Sequence, residues 1–210
     1  MKKANKVAIL IFVMIVAVVI LAYIFVYSEE TENINHDIFT VNDEFDDARA
    51  FIVTLNDIFS ETEHGATLEL NPTYSFGVRF TNVSIPSNAT LVDSYVEIFS
   101  TSTPGIDRPN CKIYCDNVDN AVNFTNAGVL NISGRNYTEN FSNWNTTVPY
   151  GKWINAPSIK AQIQEVISRE NWTSGNSIAV LFVTNGYNDY AATFQSYERG
   201  YPAKLHIKWK

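Results

Sequence analysis

The sequence predicts a mainly β protein, an antiparallel β-sandwich or jelly roll with one short amphipathic helix, preceded by a single N-terminal transmembrane helix. Three observations lead to this fold class. Short runs rich in β-branched and aromatic residues alternate with glycine, proline and asparagine turn signals over most of the chain. One later segment repeats its apolar residues with helical spacing. A long apolar run lies close to the N-terminus.

Residues 7–27 form a run of 21 residues that contains no charged residue, glycine or proline. As a helix this run would extend about 32 Å, enough to cross a hydrocarbon core of about 30 Å. Lysines precede it at Lys2, Lys3 and Lys6, and acidic residues follow it, which predicts a cytoplasmic tail at residues 1–6 and an extracellular remainder. We therefore expect a single-pass protein of the cell membrane, in contact with the bilayer through residues 7–27.

Two alternatives to an anchor remain open for this run. A cleaved secretory signal has the same basic start, and Val26 and Ser28 suit the small-residue positions of a cleavage site, but the run exceeds the usual signal core of about 7–15 residues. A pilin-type leader cut near Lys3-Ala4 would leave an assembling helix. Lys6 inside that helix and the lack of an early glutamate oppose the second alternative.

Residues 28–38 are acidic and polar and predict a short stalk, and residues 39–210 are the predicted extracellular β-sandwich domain. About 180 residues suit one domain with a substantial core. In the run 91–99, alternation places Asp93, Tyr95, Glu97 and Phe99 on one face and Ser94, Val96 and Ile98 on the other. The predicted strands are 51–55, 66–70, 76–83, 91–99, 111–115, 121–124, 131–138, 177–184, 191–197 and 204–209.

Residues 157–170 depart from the strand pattern and predict the helix. Their apolar residues recur three or four positions apart, at Ile159, Ile163, Val166 and Ile167, whereas Lys160, Gln164 and Glu165 lie off this stripe. We expect the stripe to close one open end of the sandwich core.

Two cysteines, Cys111 and Cys115, are the only ones in the chain. Within a strand their thiols would share one face about 13 Å apart, whereas a disulfide needs Cα atoms within about 7 Å. The spacing therefore predicts two free cysteines that pack against the core.

The charge balance bears on possible partners. The whole chain has a net charge of −7, and because residues 1–27 carry three lysines and no acidic residue, the remainder carries −10. Such a surface repels phosphate backbones, so we expect no nucleic-acid partner.

Eight Asn-x-Ser/Thr sequons follow the apolar run, on the side of the membrane where N-glycosylation would occur. They lie at Asn82, Asn88, Asn123, Asn131, Asn136, Asn140, Asn145 and Asn171. Five of them fall between residues 123 and 145, which predicts a glycan-dense region that is a poor place for a protein interface.

Catalytic motifs are not found. The histidines, His36, His64 and His206, are dispersed along the chain, and neither a Gly-x-Ser-x-Gly motif nor a phosphate loop occurs. We therefore expect no enzyme activity. Asp46 and Asp47 are candidate ligands of a structural Ca²⁺ ion, the one cofactor considered.

Exposed aromatic rings, which stack on sugar faces, are expected in the cluster Tyr187, Asn188, Asp189 and Tyr190 after the Asn185-Gly186 turn. This cluster is the predicted ligand-binding site. Phe76-Gly77-Val78-Arg79-Phe80 followed by Ile85-Pro86 resembles the opening strand of DNRLRE-type extracellular modules. Residues 169–176, 194–198 and 202–205 are similar to later parts of these modules, so that the resemblance covers residues 46–209.

The resemblance implies a β-jelly roll on the cell surface, related to polysaccharide-binding modules. We expect the chain to differ from the family in being a lone module on an anchor, without an attached enzyme. The predicted function is a membrane-anchored, N-glycosylated surface protein that binds carbohydrate or another surface component without catalysis. The alternative is a structural, self-associating subunit of a cell-envelope layer or of a pilus-like filament.

Overall fold

A computed structural model describes residues 12–20, 33–51, 62–63, 65, 67–103, 107–124, 132–185 and 191–210. The chain divides into two compact units, Met1–Asn33 and Ile34–Lys210. In the first unit, residues 12–20 are helical and their side chains are exposed. Across the described ranges, no helix has both the length and the apolar character needed to span a bilayer. The other residues of the predicted anchor lie outside the described ranges, so the anchor stays a prediction.

The second unit is mainly β, and its described residues form twelve strands. In chain order these are β1 (Asn35–Thr40), β2 (Asp47–Phe51), β3 (Thr62–Glu63), β4 (Thr67–Leu70), β5 (Tyr74–Phe80), β6 (Leu91–Ser100), β7 (Cys111–Cys115), β8 (Ser142–Trp144), β9 (Lys152–Asn155), β10 (Ile178–Thr184), β11 (Ala192–Gln195) and β12 (Lys204–Trp209). One α-helix, α1 (Lys160–Ile167), lies between β9 and β10.

The strands form two antiparallel sheets of six strands each. In sheet A the hydrogen-bonded order is β1-β12-β6-β11-β4, and β9 also pairs with β6. In sheet B the order is β3-β2-β5-β10-β7-β8. The prediction of an antiparallel β-sandwich is confirmed at this level.

Aromatic side chains from both sheets meet in the core. Phe76 of β5 stacks on Phe182 of β10 with their ring centroids 4.3 Å apart, and both strands belong to sheet B. Phe194 of β11, in sheet A, lies 5.6 Å from Phe76 and 5.4 Å from Trp144 of β8. Each of the three phenylalanines is fully buried, which contributes about 1.5–3 kcal/mol per side chain. Apolar burial between the sheets therefore joins them.

The face of sheet B that points away from the core, its outer face, is also packed against other residues. The described parts of the connection between β7 and β8, residues 116–124 and 132–141, which we name the covering segment, place Ala121, Phe124 and Ile132 against Ala179 and Leu181 of β10. These residues form a second buried cluster, separate from the core between the sheets. The covering segment therefore shields the part of this face around Ala179 and Leu181 from solvent.

Gly77 and Arg135 explain how the covering segment lies so close to the sheet. A Cβ atom at Gly77 would lie 2.6 Å from Cζ of Phe124, so only glycine leaves room for that ring. Arg135 donates from Nη1 to Oδ2 of Asp116 at 2.8 Å and from Nη2 to the carbonyl oxygens of Val122 and Asn123. The guanidinium thus ties the second described part of the segment to its first part, which begins directly after β7.

Two predicted strands, 121–124 and 131–138, are wrong. Residues 121–124 are irregular and residues 132–134 form a turn. Their aromatic and β-branched residues cover the face of sheet B with side chains instead of extending its edge, which explains the strand-like composition. Most of the predicted strand 51–55 lies outside the described residues.

The sequence pattern missed β1, β3, β8 and β9, and all of β2 except Phe51. β1 begins at Asn35, inside the stretch 28–38 that predicted a stalk, and all six of its residues pair with β12. β8 and β9 have three and four residues, too few for a periodic signal. β7 begins and ends where predicted, and Cys111 and Cys115 are buried and free, as expected. Burial raises the pKa of both thiols.

Helix α1 confirms the predicted helical segment. Ile159, Ile163, Val166 and Ile167 are completely buried, and α1 contacts β6 of sheet A and β7 of sheet B. Two glutamines of α1 add hydrogen bonds to the same two strands. The Gln162 amide donates to the carbonyl oxygen of Ile113 in β7. The carbonyl of Gln164 accepts the N–H of Leu91 in β6. The helix therefore closes the core at the place where it contacts one strand of each sheet, β6 of sheet A and β7 of sheet B.

Two buried carboxylates lie next to each other at another place, and one of them, Asp47, links the sheets. Arg79 of β5 donates to Asp46 and also to the carbonyl oxygen of Ala121 and the hydroxyl of Ser177. Asp47, at the start of β2 in sheet B, accepts the N–H of Tyr197 at 2.8 Å, in the turn between β11 and β12 of sheet A. Burial, helped by the charges of Glu198 and Asp46, raises the pKa of Asp47 to about 7, although the hydrogen bond from Tyr197 acts in the opposite direction.

The first prediction concerns the effect of substitutions in helix α1 on stability. Ile163→Asp places an unpaired charge in the core and should destabilise the protein by about 3 kcal/mol or more. Lys160→Asp, at the exposed first turn of α1, should cost less than about 1 kcal/mol because a carboxylate there is favoured by the helix dipole. Denaturant melts of the full-length chain in detergent measure both. Equal unfolding midpoints for Ile163→Asp and the parent would show that the stripe is not buried.

The second prediction concerns Asp47 and pH. An unfolded aspartate titrates near 3.8, so between about pH 4 and pH 7 the folded state holds a proton that the unfolded state has lost. Stability therefore falls as the pH rises through this window and levels off above pH 7. Asp47→Asn should remove the fall and exceed the parent at pH 8 by about 2–4 kcal/mol.

Denaturant melts at pH 5 and pH 8 check this prediction, and Glu170→Gln, which changes an exposed carboxylate, is the matched control. An Asp47→Asn effect of the same size at both pH values would contradict the assignment, because it would not depend on the proton.

Candidate ligand-binding face

The face of sheet A that points away from the core carries mostly exposed and half-exposed side chains, with His206 buried among its neighbours. We name it the open face. It follows from alternation along the strands, because Leu205 and Ile207 of β12 are buried while the residues between them point outward. Its members are His36, Ile38, Thr40, Asp93, Tyr95, Glu97, Phe99, Trp153, Lys204, His206 and Lys208, joined by Tyr201 from the turn before β12.

Three aromatic rings form one half of the open face. The Phe99 ring centroid lies 4.2 Å from that of Tyr201 and 5.6 Å from that of Trp153, and Trp153 and Tyr201 are 6.1 Å apart. Strand pairing holds this group together, because Phe99 and Trp153 are directly opposite each other on β6 and β9. Nζ of Lys204 lies 4.0 Å from the centre of the Trp153 ring. The rings present apolar area beside a cation.

A row of polar side chains crosses the other half, from β6 through β12 to β1. Oε2 of Glu97 accepts the Lys204 ammonium at 2.9 Å and lies 3.4 Å from Nε2 of His206. Nδ1 of His206 lies 3.2 Å from Nε2 of His36, and the His206 ring stacks on Tyr95. These contacts arrange hydrogen-bonding groups in a line on the sheet.

The contacts in this row shift two pKa values. Burial alone would raise the pKa of Glu97, but the hydrogen bonds and charges of Lys204 and His206 outweigh burial and lower it. Burial lowers the pKa of His206, although Glu97 acts in the opposite direction. At neutral pH, Glu97 is therefore an anion and His206 a neutral ring that can accept a hydrogen bond or bind a metal.

The face combines aromatic rings with fixed donors and acceptors. A sugar ring has the matching chemistry, because its C–H faces pack on aromatic rings and its hydroxyls hydrogen-bond to carboxylate, amine and imidazole groups. A few polar groups placed beside apolar surface are typical of ligand sites.

The predicted ligand site is not tested by the structure. Tyr187, Asn188, Asp189 and Tyr190 lie outside the described residues. The open face is a different candidate, and the alternation of residues 91–99 indicated part of it. The neighbours that complete it come from β1, β9 and β12, and pairing with those strands is not readable from local sequence.

The histidines are dispersed along the sequence, but two of them meet in the folded chain. His36 and His206 are separated by 170 residues in sequence, yet their rings meet because β1 and β12 are neighbours. His64 lies outside the described residues.

The calcium prediction at Asp46 and Asp47 gains no support from their contacts. The Asp46 carboxylate is bound by Arg79, and the Asp47 carboxylate accepts the N–H of Tyr197. In the part of the chain that the structure describes, no three histidine, cysteine or acidic residues are grouped as metal ligands. Calcium binding there stays a prediction.

None of the described sequon asparagines falls in a strand of sheet A. Asn123, Asn136 and Asn140 belong to the covering segment on sheet B, and Asn145 directly follows β8 at the edge of that sheet. Asn131 is outside the described residues, and Asn123 is half-buried. The exposed ones are Asn82, Asn88, Asn136, Asn140, Asn145 and Asn171.

No protein-family model matches the chain, and no curated protein matches it either. The resemblance to DNRLRE-type extracellular modules therefore stays a prediction.

Proposed function

We propose that the protein is a membrane-anchored, N-glycosylated jelly roll of the cell surface that binds carbohydrate through the open face, without catalysis. The anchor is residues 7–27, and the binding unit is Ile34–Lys210. Trp153, Tyr201 and Phe99 supply the rings on which a sugar packs. Glu97 and Lys204 supply hydrogen bonds to its hydroxyls.

The strand order supports a jelly roll. Glu97 of β6 pairs with Lys204 of β12 and also with Asn155 of β9, so β12 and β9 flank β6 on opposite sides. The order β1-β12-β6-β9 then faces the order β5-β10-β7-β8. Taken in chain order, these eight strands alternate between the sheets except at the β7–β8 hairpin connection. Wrapping of this kind is typical of a jelly roll with two Greek keys.

The difference between the two outer faces of the sandwich carries the binding proposal. The outer face of sheet B is buried around Ala179 and Leu181 beneath the covering segment, which also carries several sequons. The open face has no sequon on its strands and presents aromatic rings beside polar groups. A bound polysaccharide would therefore meet no glycan on that face.

Glycan binding is the third prediction. On a glycan array, the full-length chain in detergent should bind a defined set of saccharides. Trp153→Ala and Tyr201→Ala should each weaken binding about tenfold or more, equivalent to about 1.4 kcal/mol, because stacking area is lost. Phe141→Ala is the matched control, because this ring is 44% exposed and contacts Tyr114 on sheet B.

A further variant separates the two candidate sites. If Tyr187→Ala/Tyr190→Ala abolishes binding while Trp153→Ala and Tyr201→Ala do not, the ligand binds at the turn and not on the open face. Absence of glycan binding, together with filaments seen by electron microscopy in native membranes, would favour the structural subunit instead.

Glycosylation is the fourth prediction. Peptides from the native protein that contain the exposed residues Asn136, Asn140 or Asn145 should carry glycans, whereas the half-buried Asn123 should be modified less because its environment restricts access. Mass spectrometry with and without enzymatic deglycosylation measures the occupancy. Unmodified peptides at every sequon would contradict both the glycosylation and the extracellular orientation. Absence of residues 1–27 from the mature protein would identify a cleaved signal.

A further inference from the structure

Two histidines from distant parts of the sequence meet on the open face. Nε2 of His36 and Nδ1 of His206 form a hydrogen bond at 3.2 Å, with ring centroids 5.4 Å apart, so a metal ion bound by both nitrogens would replace the proton between them. Two imidazole nitrogens that share a tetrahedral metal ion, each about 2.0–2.1 Å from it, are separated by roughly 3.3–3.4 Å. The two nitrogens therefore already have nearly the separation that a shared metal ion requires.

The surroundings of His206 hold its ring in an orientation suited to metal binding. Its other nitrogen, Nε2, faces Oε2 of Glu97 at 3.4 Å, and Lys204 holds that carboxylate in place at 2.9 Å. Tyr95 stacks on the ring with an interplanar angle of 11°. In metal sites a carboxylate on the second nitrogen fixes the tautomer so that the first nitrogen is free to bind. Nδ1 of His206 is thus directed toward His36.

The backbone fixes where the two side chains begin. Ile38 pairs with His206 and His36 pairs with Lys208, so the histidines are diagonal neighbours on adjacent strands. His36 is exposed, which leaves a path for a cation from solvent.

We propose that His36 and His206 bind one divalent transition-metal ion, Cu²⁺ or Zn²⁺, through Nε2 and Nδ1 respectively. Imidazole suits these ions, whereas Ca²⁺ and Mg²⁺ prefer oxygen ligands. The protein supplies two ligands, and water or an added ligand completes the coordination. Copper should bind more tightly than zinc, following the usual order for divalent ions. The proposal does not depend on carbohydrate binding.

Titration of the full-length chain in detergent with CuCl₂ tests the proposal, with calorimetry for stoichiometry and electron paramagnetic resonance for the ligands. We expect one tightly bound Cu²⁺ per chain with hyperfine coupling to two imidazole nitrogens. His36→Ala and His206→Ala should each weaken binding at least tenfold, and His36→Ala lies at an exposed position where folding is retained. Glu97→Gln should weaken binding about tenfold without abolishing it.

Lys208→Ala and His64→Ala are the matched controls and should retain parental binding. A His36→Ala/His206→Ala variant that still binds one Cu²⁺ with parental affinity would overturn the proposal, and so would a parent protein that binds none. Loss of binding in His64→Ala alone would place the metal elsewhere.

Discussion

The pairing of β12 with β1 on one side and with β6 on the other is the interaction on which sheet A and its open face depend. Its register places Lys204 beside Glu97 and His206 beside Tyr95. A shift of one residue would turn Lys204 and His206 into the core and expose Leu205 and Ile207. Burial of these two apolar residues therefore fixes the positions of the polar side chains on the opposite face.

The covering segment makes the two sides of the sandwich unlike. Phe124 fits against sheet B because Gly77 has no side chain, and Arg135 holds the segment through Asp116 and two carbonyl oxygens. Burying a guanidinium is costly unless its donors are paired, and here the carboxylate and carbonyl groups supply partners. Sheet B is consequently buried on both faces over this region, which leaves sheet A as the side that can meet a ligand.

The open face brings different kinds of group within a short distance. Its rings offer apolar area, Glu97 and Lys204 offer a charged acceptor and donor, and the histidine pair offers two nitrogen ligands. Sugar hydroxyls can hydrogen-bond to Glu97 and Lys204, and they can also complete the coordination of a metal ion bound by the histidine pair. The two proposals therefore describe neighbouring parts of one surface, although each stands on its own contacts.

Local periodicity in the sequence determined β6, β7, β12 and helix α1. In these elements the side chains that alternate, or that recur every three or four residues, are those buried in the core, so burial leaves a readable pattern. The antiparallel sandwich followed from their number and spacing. The free state of Cys111 and Cys115 followed from strand geometry alone.

Tertiary structure alone decided the rest. β1, β8 and β9 are strands because neighbouring strands pair with them, and the strand-like residues of 121–124 cover a sheet instead of joining one. The open face likewise needs strands that are far apart in sequence. His36 and His206 meet across 170 residues only through the register of β1 and β12, and hydrogen bonds between distant strands leave no local pattern in the residues that make them.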